Sequence, residues 1–241
     1  MTERRRVALI TGASRGLGLE VARLFAEKHM PLIITARNAE ALQEAADELG
    51  RLTPVLAIAG NVSDQSHARR LVSEGMQSFG RIDVLVNNAS SIGPSPMPAL
   101  ESYPLDRFSE VLAVNVVAPL RLVQLVLPQM RERRSGVIIN VSSDAAINAY
   151  AGWGGYGASK AALEQLSRVL ATELEGSDVR VYTVDPGDMN TQMHREAEPG
   201  VDLSYLPGPE AAAAAFLYLV QDETSAFDRV EAQSLDRQVT Y

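Results

Sequence analysis

The sequence predicts an α/β protein: a single-domain, doubly wound parallel sheet with helices on both faces, spanning residues 1–241. Three observations predict it. Short apolar runs alternate regularly with segments of helical spacing. The runs are continuous and rich in Val and Ile, as strands covered on both faces are. A glycine-rich turn joins the first run to the first helical segment, where a βαβ series begins.

The expected strands, in order, are 7–10, 32–35, 55–59, 84–86, 137–141 and 179–184, with a seventh near 230–233. The helical segments between them are 17–28, 39–49, 65–79, 105–131 and 156–173. No repeat, low-complexity linker or domain boundary interrupts this order. The Pro/Gly/Ser-rich stretches 90–98 and 199–209 each come after a strand, which puts both at the carboxyl edge of the sheet, where such folds bind ligands.

Composition narrows the function. Thirty acidic residues against 22 basic ones give a net charge of −8, which disfavours wrapping a phosphate backbone, so no nucleic-acid partner is expected. Cysteine is absent, which excludes disulfides, thiolate-bound zinc and thiol nucleophiles. The histidines His29, His67 and His194 show no metal-binding spacing, so no metal is expected. After Arg4-Arg5-Arg6 only four apolar residues precede Thr11-Gly12, too few for a signal peptide. The apolar stretch 211–220 is too short to span a bilayer. No membrane partner and a cytoplasmic location are expected.

The first strand runs into Thr11-Gly12-Ala13-Ser14-Arg15-Gly16-Leu17-Gly18. Glycines let such a backbone turn sharply and approach a pyrophosphate, which the following helix meets with free N–H groups and the positive end of its dipole. The same letters also read G-x-S-x-G, a hydrolase nucleophile elbow at Ser14. That reading needs an oxyanion donor from an earlier loop, and a base for which only His194 is available.

Further along come Asn87-Asn88-Ala89, Asn115, Ser143 with Tyr156-x-x-x-Lys160, and Pro186-Gly187. With the TGxxxGxG turn, this ordered set resembles the short-chain dehydrogenase/reductase family over residues 7–191, and implies its Rossmann-like fold. The cofactor half is then about 1–140, and the catalytic and substrate-loop half about 141–241.

The second strand ends Thr35-Ala36-Arg37-Asn38, with no carboxylate to receive an adenosine ribose. Arg15 and Arg37 suit a 2′-phosphate instead, and the resemblance then implies NADP(H) as cofactor. The alternative is two surface arginines paired with acids. The resemblance also implies cofactor contacts from Gly12, Ser14, Gly16, Leu17, Gly18, Asn38, Asn61, Val62, Asn88 and Ala89. Asn61 replaces the family's usual Asp at the adenine amino group, and its amide carbonyl can still accept that bond. Ser90 replaces a usual Gly, with an effect left open.

Tyr156 and Lys160, four apart, share one helix face, and an ammonium there is expected to lower the phenol's pKa towards working pH. Such a pair is also commonplace on helix surfaces. Ser143, thirteen residues before Tyr156, has the family's spacing for a hydroxyl that orients the substrate oxygen; Ser142 is the alternative, and both are open to being strand-end turn serines. Asn115 lies mid-helix with Pro119 four residues on. Proline has no N–H, so the Asn115 carbonyl loses its helical partner and the helix is expected to depart from straight α geometry there. The resemblance makes Asn115, Ser143, Tyr156 and Lys160 the catalytic set, with Tyr156 and Lys160 also at the cofactor and Asn115 holding a relay water.

Pro186, Gly187, Met189 and Thr191 resemble the family's PGxxxT segment, which implies that they line the nicotinamide and that Thr191 binds its carboxamide. The stretch 192–209 is either a substrate cover or a variable surface loop. Pocket candidates are Ser91, Ile92, Asp144, Asn148, Trp153, Met193 and His194, with Asp144 also open to capping a turn. The family ending Asp-Gly-Gly, which supports subunit contacts, is replaced by Asp236-Arg237-Gln238-Val239-Thr240-Tyr241. A homodimer through segments 105–131 and 156–173 is therefore implied, with a tetramer as the alternative. The expected reaction interconverts a small-molecule carbonyl and alcohol; a nucleotide-binding regulatory or scaffold protein of the same fold is the other reading.

Overall fold

The computed structural model describes residues 5–221 and 225–235. Its seven strands are β1 (Ala8–Thr11), β2 (Leu32–Thr35), β3 (Val55–Ala57), β4 (Val84–Asn87), β5 (Gly136–Val141), β6 (Val179–Asp185) and β7 (Phe227–Glu231). They form one sheet in the order 3-2-1-4-5-6-7, and every pairing is parallel. The order reverses between β1 and β4, which opens a crevice at their carboxyl ends.

Helices α1 (Gly16–Glu27) and α2 (Ala39–Leu49) cover one face, and α3 (Gln65–Phe79) the other. Side chains alternate across the pleat. Ile10 and Ile34 therefore pack with Val21 and Phe25 of α1, while Leu9 and Ile33 pack with Leu71 of α3. Each fully buried Leu or Ile contributes about 1.5–3 kcal/mol, so losing either face would unfold the sheet.

The helical run expected at 105–131 is three pieces: α4 (Leu105–Leu112), a π turn (Ala113–Val117) and α5 (Ala118–Glu132). Within the turn the amide of Ala118 reaches back to the Ala113 carbonyl. Pro119, just past it, offers no N–H to Asn115, which agrees with the expected irregularity. By length and composition this run would suffice to cross a bilayer. Here Leu122, Val123, Val126 and Met130 are packed in the core beside Leu9 and Ile138.

Next come α6 (Gly154–Glu173), α7 (Gln192–Ala197), α8 (Glu210–Gln221) and α9 (Ala232–Leu235). The apolar stretch 211–220 is α8, and its Ala212, Phe216, Leu219 and Val220 join the α1 face. β3 stops at Ala57 rather than residue 59. β7 occupies Phe227–Glu231 rather than 230–233, because the chain turns into α9 at Ala232. The stretch 192–209 begins as α7 and continues irregularly to residue 209. Residues 236–241, where the ending departs from the family, lie outside the described residues.

Candidate active site

The crevice at the carboxyl ends of β1 and β4 belongs to one cavity of about 1250 Å³. The Thr11 hydroxyl receives the amides of Asn88 at 3.0 Å and Ala89 at 2.9 Å. Asn88 Nδ2 donates in turn to the carbonyls of Thr11 at 2.9 Å and Gly12 at 3.2 Å. The glycine turn is thus fastened to the end of β4. Gly12 has φ +67°, and a Cβ there would lie 2.8 Å from Asn88 Nδ2. At Gly18 an added Cβ would strike Asn88 Nδ2 and the Gly12 carbonyl. Both positions exclude a side chain, as close backbone approach to a ligand demands.

Gly12, Ser14, Arg15, Gly16, Leu17, Asn88 and Ala89 line the cavity, as do Arg37, Asn38, Asn61 and Val62. Gly18 does not; it lies buried behind the turn and packs it. Arg15 and Arg37 are exposed and form no ion pair with a described residue; Arg15 hydrogen-bonds Gln192 instead. The carboxylate-paired alternative for these arginines is not what the structure contains. Asn38 Oδ1 caps α2 by accepting from the Ala41 amide at 3.1 Å. Asn61 Oδ1 accepts from the Ser63 amide at 3.1 Å, so one of its two lone pairs is already used. No hydrogen bond joins Ser14 to a histidine among the described residues: the His194 ring bonds the Met189 carbonyl at 3.2 Å and approaches Glu198 at 3.4 Å. Nothing in this geometry supplies the base that a nucleophile at Ser14 requires.

Deeper in the cavity stand Ser143, Tyr156 and Lys160. The end of β5 positions the first and α6 the other two. Lys160 is buried; its Nζ donates to the Val141 carbonyl at 2.8 Å and lies 5.4 Å from the centre of the Tyr156 ring. Ser143 Oγ accepts from the Ala145 amide at 3.2 Å and donates to Asp144 Oδ1 at 3.0 Å, and the same hydroxyl stands beside the Tyr156 phenol, to which it can turn its one proton. Ser142 is turned away, donating to Glu164 Oε1 at 2.6 Å.

Burial pushes the Tyr156 phenol up to about 12. The Ser143 and Ser90 hydroxyls pull it down, while Asp185 and Asp144 raise it further. This is the reverse of the lowering expected from Lys160: desolvation of the phenolate outweighs the favourable groups around it. Burial pulls Lys160 down to about 8, against the opposing pull of Asp185. At neutral pH the pair is a protonated phenol beside a largely charged ammonium.

Asn115 does not line the cavity; it is buried behind it. Its Oδ1 accepts from the Ser91 amide at 2.8 Å and the Ser90 hydroxyl at 3.2 Å. Its Nδ2 donates to the Ser91 carbonyl at 2.8 Å and Ser159 Oγ at 2.9 Å. Ser90, where a glycine was usual, thus bridges towards both Asn115 and Tyr156.

On the far side Pro186, Gly187, Met189 and Thr191 line the cavity, and Thr191 Oγ1 caps α7 by accepting from the His194 amide at 3.3 Å. Ser91, Ile92, Asp144, Trp153, Met193 and His194 also line it. Asn148 does not: it is exposed, beyond the 3₁₀ turn Asp144–Ala146. Asp144 joins the turn and the site, since its Oδ2 also accepts from the Tyr150 hydroxyl at 2.6 Å. Around Tyr156 the wall is apolar: Ile92, Ala145 and Ala197, with Met97, Trp153 and Met193 against them. Thr11, Ser159 and Asp185 were not singled out by the sequence. Their partners stand 77, 44 and 44 positions away, and only Thr11 sat inside a recognised motif.

The cavity fits a dinucleotide. Gly12 and Gly16 leave the turn bare for a pyrophosphate, the exposed guanidiniums of Arg15 in that turn and Arg37 just past β2 make no ion pair with a described residue, and the deep end carries a phenol, an ammonium and a hydroxyl. Residues 6–202 match the family model described as short chain dehydrogenase. A rhamnolipid-biosynthesis 3-oxoacyl-[acyl-carrier-protein] reductase of Pseudomonas aeruginosa is 39% identical over 199 residues, covering 79% of this chain and 75% of that protein. A 3-oxoacyl-[acyl-carrier-protein] reductase of Thermotoga maritima is 34% identical over 232 residues, covering 91% and 92%. A metagenomic short-chain oxidoreductase solved in complex with NADP superposes with a TM-score of 0.80 at 29% identity, covering 94% of this chain and 96% of that one.

Proposed function

The chain belongs to the short-chain dehydrogenase family, and we propose that it is an NADP(H)-dependent oxidoreductase that interconverts a carbonyl and an alcohol. One observation carries the reading: the Ser143 hydroxyl, the Tyr156 phenol and the Lys160 ammonium meet in the cavity whose other end is marked by Arg15 and Arg37. A nicotinamide bound there supplies or takes the hydride. The protein's own groups do the rest. Tyr156, protonated at neutral pH, donates its phenolic proton to a carbonyl oxygen, or its phenolate removes one from an alcohol. Ser143 holds that oxygen against the phenol, and Lys160 stabilises the phenolate left behind. Asn115 fixes the segments that present Ser91 and Ser159, and so the placement of α6.

The absence of a carboxylate at the end of β2 and the two exposed guanidiniums of Arg15 and Arg37, neither in an ion pair with a described residue, favour the 2′-phosphorylated cofactor. The apolar wall of Ile92, Trp153, Met193 and Ala197 favours a substrate with an apolar body next to the reacting carbon. The 3-oxoacyl chemistry in two relatives' names makes a 3-oxoacyl thioester the first probe. The exposed Val117 and Leu120 beside the α5 start, and Val169 on α6, favour pairing of two copies through these helices. Light scattering on the purified protein reads that directly.

The test is fluorescence titration with NADPH and NADH, followed by cofactor oxidation with acetoacetyl-CoA and a panel of ketones and aldehydes. Tighter NADPH binding with turnover of a carbonyl is expected. Equal affinities would reject the cofactor preference. Tight binding with no turnover of any carbonyl, or of alcohols in reverse, would favour a binding protein of this fold.

A further inference from the structure

Behind the catalytic face lies a buried ionic chain that none of the motifs contains. Ser142 Oγ donates to Glu164 Oε1 at 2.6 Å, and Arg229 Nε donates to the same oxygen at 3.0 Å. Arg168 holds the other Glu164 oxygen at 2.9 Å. Arg229 Nη2 then reaches Asp185 Oδ2 at 3.2 Å, while Asp185 Oδ1 accepts from the Gly187 amide at 3.0 Å. The side chains of Glu164 and Asp185 are 2% and 8% exposed, and that of Arg229 17%. β7 contributes Arg229, β6 contributes Asp185 and α6 contributes Glu164, so three elements meet in one charge cluster.

Asp185 also lines the cavity with Lys160: the Lys160 Nζ sits on the Val141 carbonyl, and Val141 pairs across the sheet with Val184, the neighbour of Asp185. The Lys160 ammonium is buried and makes no ion pair within 4 Å with a described residue. We propose that Asp185, paired with Arg229, is the counter-charge that holds Lys160 as an ammonium inside its buried site, so that β7 acts on the catalytic face through Asp185.

The surrounding groups agree with the assignment. From α6, Lys160 is faced by Tyr156, and Glu164 one turn on is already occupied by Ser142, Arg168 and Arg229. On β5 it donates to the Val141 carbonyl, beyond which Ser143 is turned to Asp144. The π turn offers only the Asn115 amide, spent on Ser90, Ser91 and Ser159. Asp144 is shared between Ser143 and Tyr150. That leaves Asp185 as the carboxylate whose field supports the ammonium against burial. Burial pushes Asp185 itself towards the neutral acid, and the Gly187 amide and Arg229 oppose that. Arg229 and Asp185 are therefore positioning residues for the charge on Lys160.

The inference rests on the proposed role of Lys160, yet its test reads the lysine rather than turnover. The chain has two lysines, Lys28 and Lys160. In protein labelled with carbon-13 at the lysine side chains, Lys28→Arg leaves a single signal, that of Lys160, whose midpoint is expected near pH 8. In that background Asp185→Asn is expected to move the midpoint down by at least about one pH unit. Arg229→Met removes a cation that offsets the Asp185 charge and should move it up by less, Arg229→Lys should keep it, and Glu231→Gln, at the exposed end of Arg229's reach, should leave it in place. Should Asp185→Asn fail to fold, the Arg229→Met and Arg229→Lys pair reads the same coupling with the opposite sign. A Lys160 midpoint unmoved in folded Asp185→Asn, or unmoved in folded Arg229→Met, overturns the proposal. An enzyme without detectable turnover that still shows these shifts would count against the functional reading alone.

Discussion

Asn115 Nδ2 donates to Ser159 Oγ at 2.9 Å, so one buried amide joins the π turn to the helix that carries Tyr156 and Lys160. Its Oδ1 also receives the Ser91 amide. Asn115→Ala takes the acceptor from the Ser91 amide and the donor from the Ser91 carbonyl and Ser159 Oγ, at a cost of about 1–3 kcal/mol. A lowered urea midpoint with unchanged slope, together with reduced turnover, is the expected outcome. A wild-type midpoint would show that the clamp is dispensable.

Tyr156→Phe removes the phenolic oxygen and leaves the ring against Trp153, 5.7 Å between centres. Turnover is expected to fall by about 10²–10⁴-fold, the usual share of a positioned acid or base, while NADPH titrates as before. Near-normal turnover would mean that another group moves the proton.

Gly18→Ala places a methyl against the Gly12 carbonyl and Asn88 Nδ2. A backbone atom in the turn cannot swing aside as a flexible side chain would, so the turn itself must shift. Weaker cofactor binding with a lower melting temperature is expected. Retention of both values would show slack in the turn that the contacts do not reveal.

His67 makes stability depend on mild acid. Thr35 Oγ1 gives its proton to the Ile58 carbonyl at 2.7 Å, so His67 Nε2, 2.9 Å away, is the donor between them. Nδ1 is then a buried nitrogen without a partner, and burial lowers the ring below its ordinary 6.5. Below that value the unfolded chain takes up a proton which the folded protein resists. Stability is therefore expected to be full and independent of this ring above 6.5 and to fall as pH drops from there through the lower folded value. His67→Gln should flatten that slope in urea titrations between pH 5 and 7; an identical slope would assign the effect elsewhere.

The alternation of Val- and Ile-rich runs marked six strands in their right places, because a strand covered on both faces has no polar side to blur it. The edges were less legible. β7 presents Asp228, Arg229 and Glu231 among its five residues, so it lacks an apolar run, and its register comes from β6. α8 is an alanine-rich run whose apolar residues continue around the helix, so no stripe announced it, although alanine favours helix strongly. Pro119 signalled the π turn because a missing N–H is a local fact. Within the site, Tyr156 and Lys160 were legible from their spacing along one helix. The direction of the phenol's shift was not, since it depends on how deeply the folded chain buries it. Asn148, expected in the pocket, is exposed beyond the 3₁₀ turn that follows Ser143. The Glu164–Arg229–Asp185 chain spans 65 and 44 positions and leaves no pattern in any window.

The polar groups at the reacting end hang from strand ends and one helix, whereas Ile92, Trp153, Met193 and Ala197 come from the connecting stretches or short segments around them. Exchanging those four for smaller or larger neighbours alters which molecules fit while leaving the sheet's hydrogen bonds alone. Such a division of labour makes the protein a good starting point for directed retargeting: libraries confined to these positions should change diet more readily than they change fold.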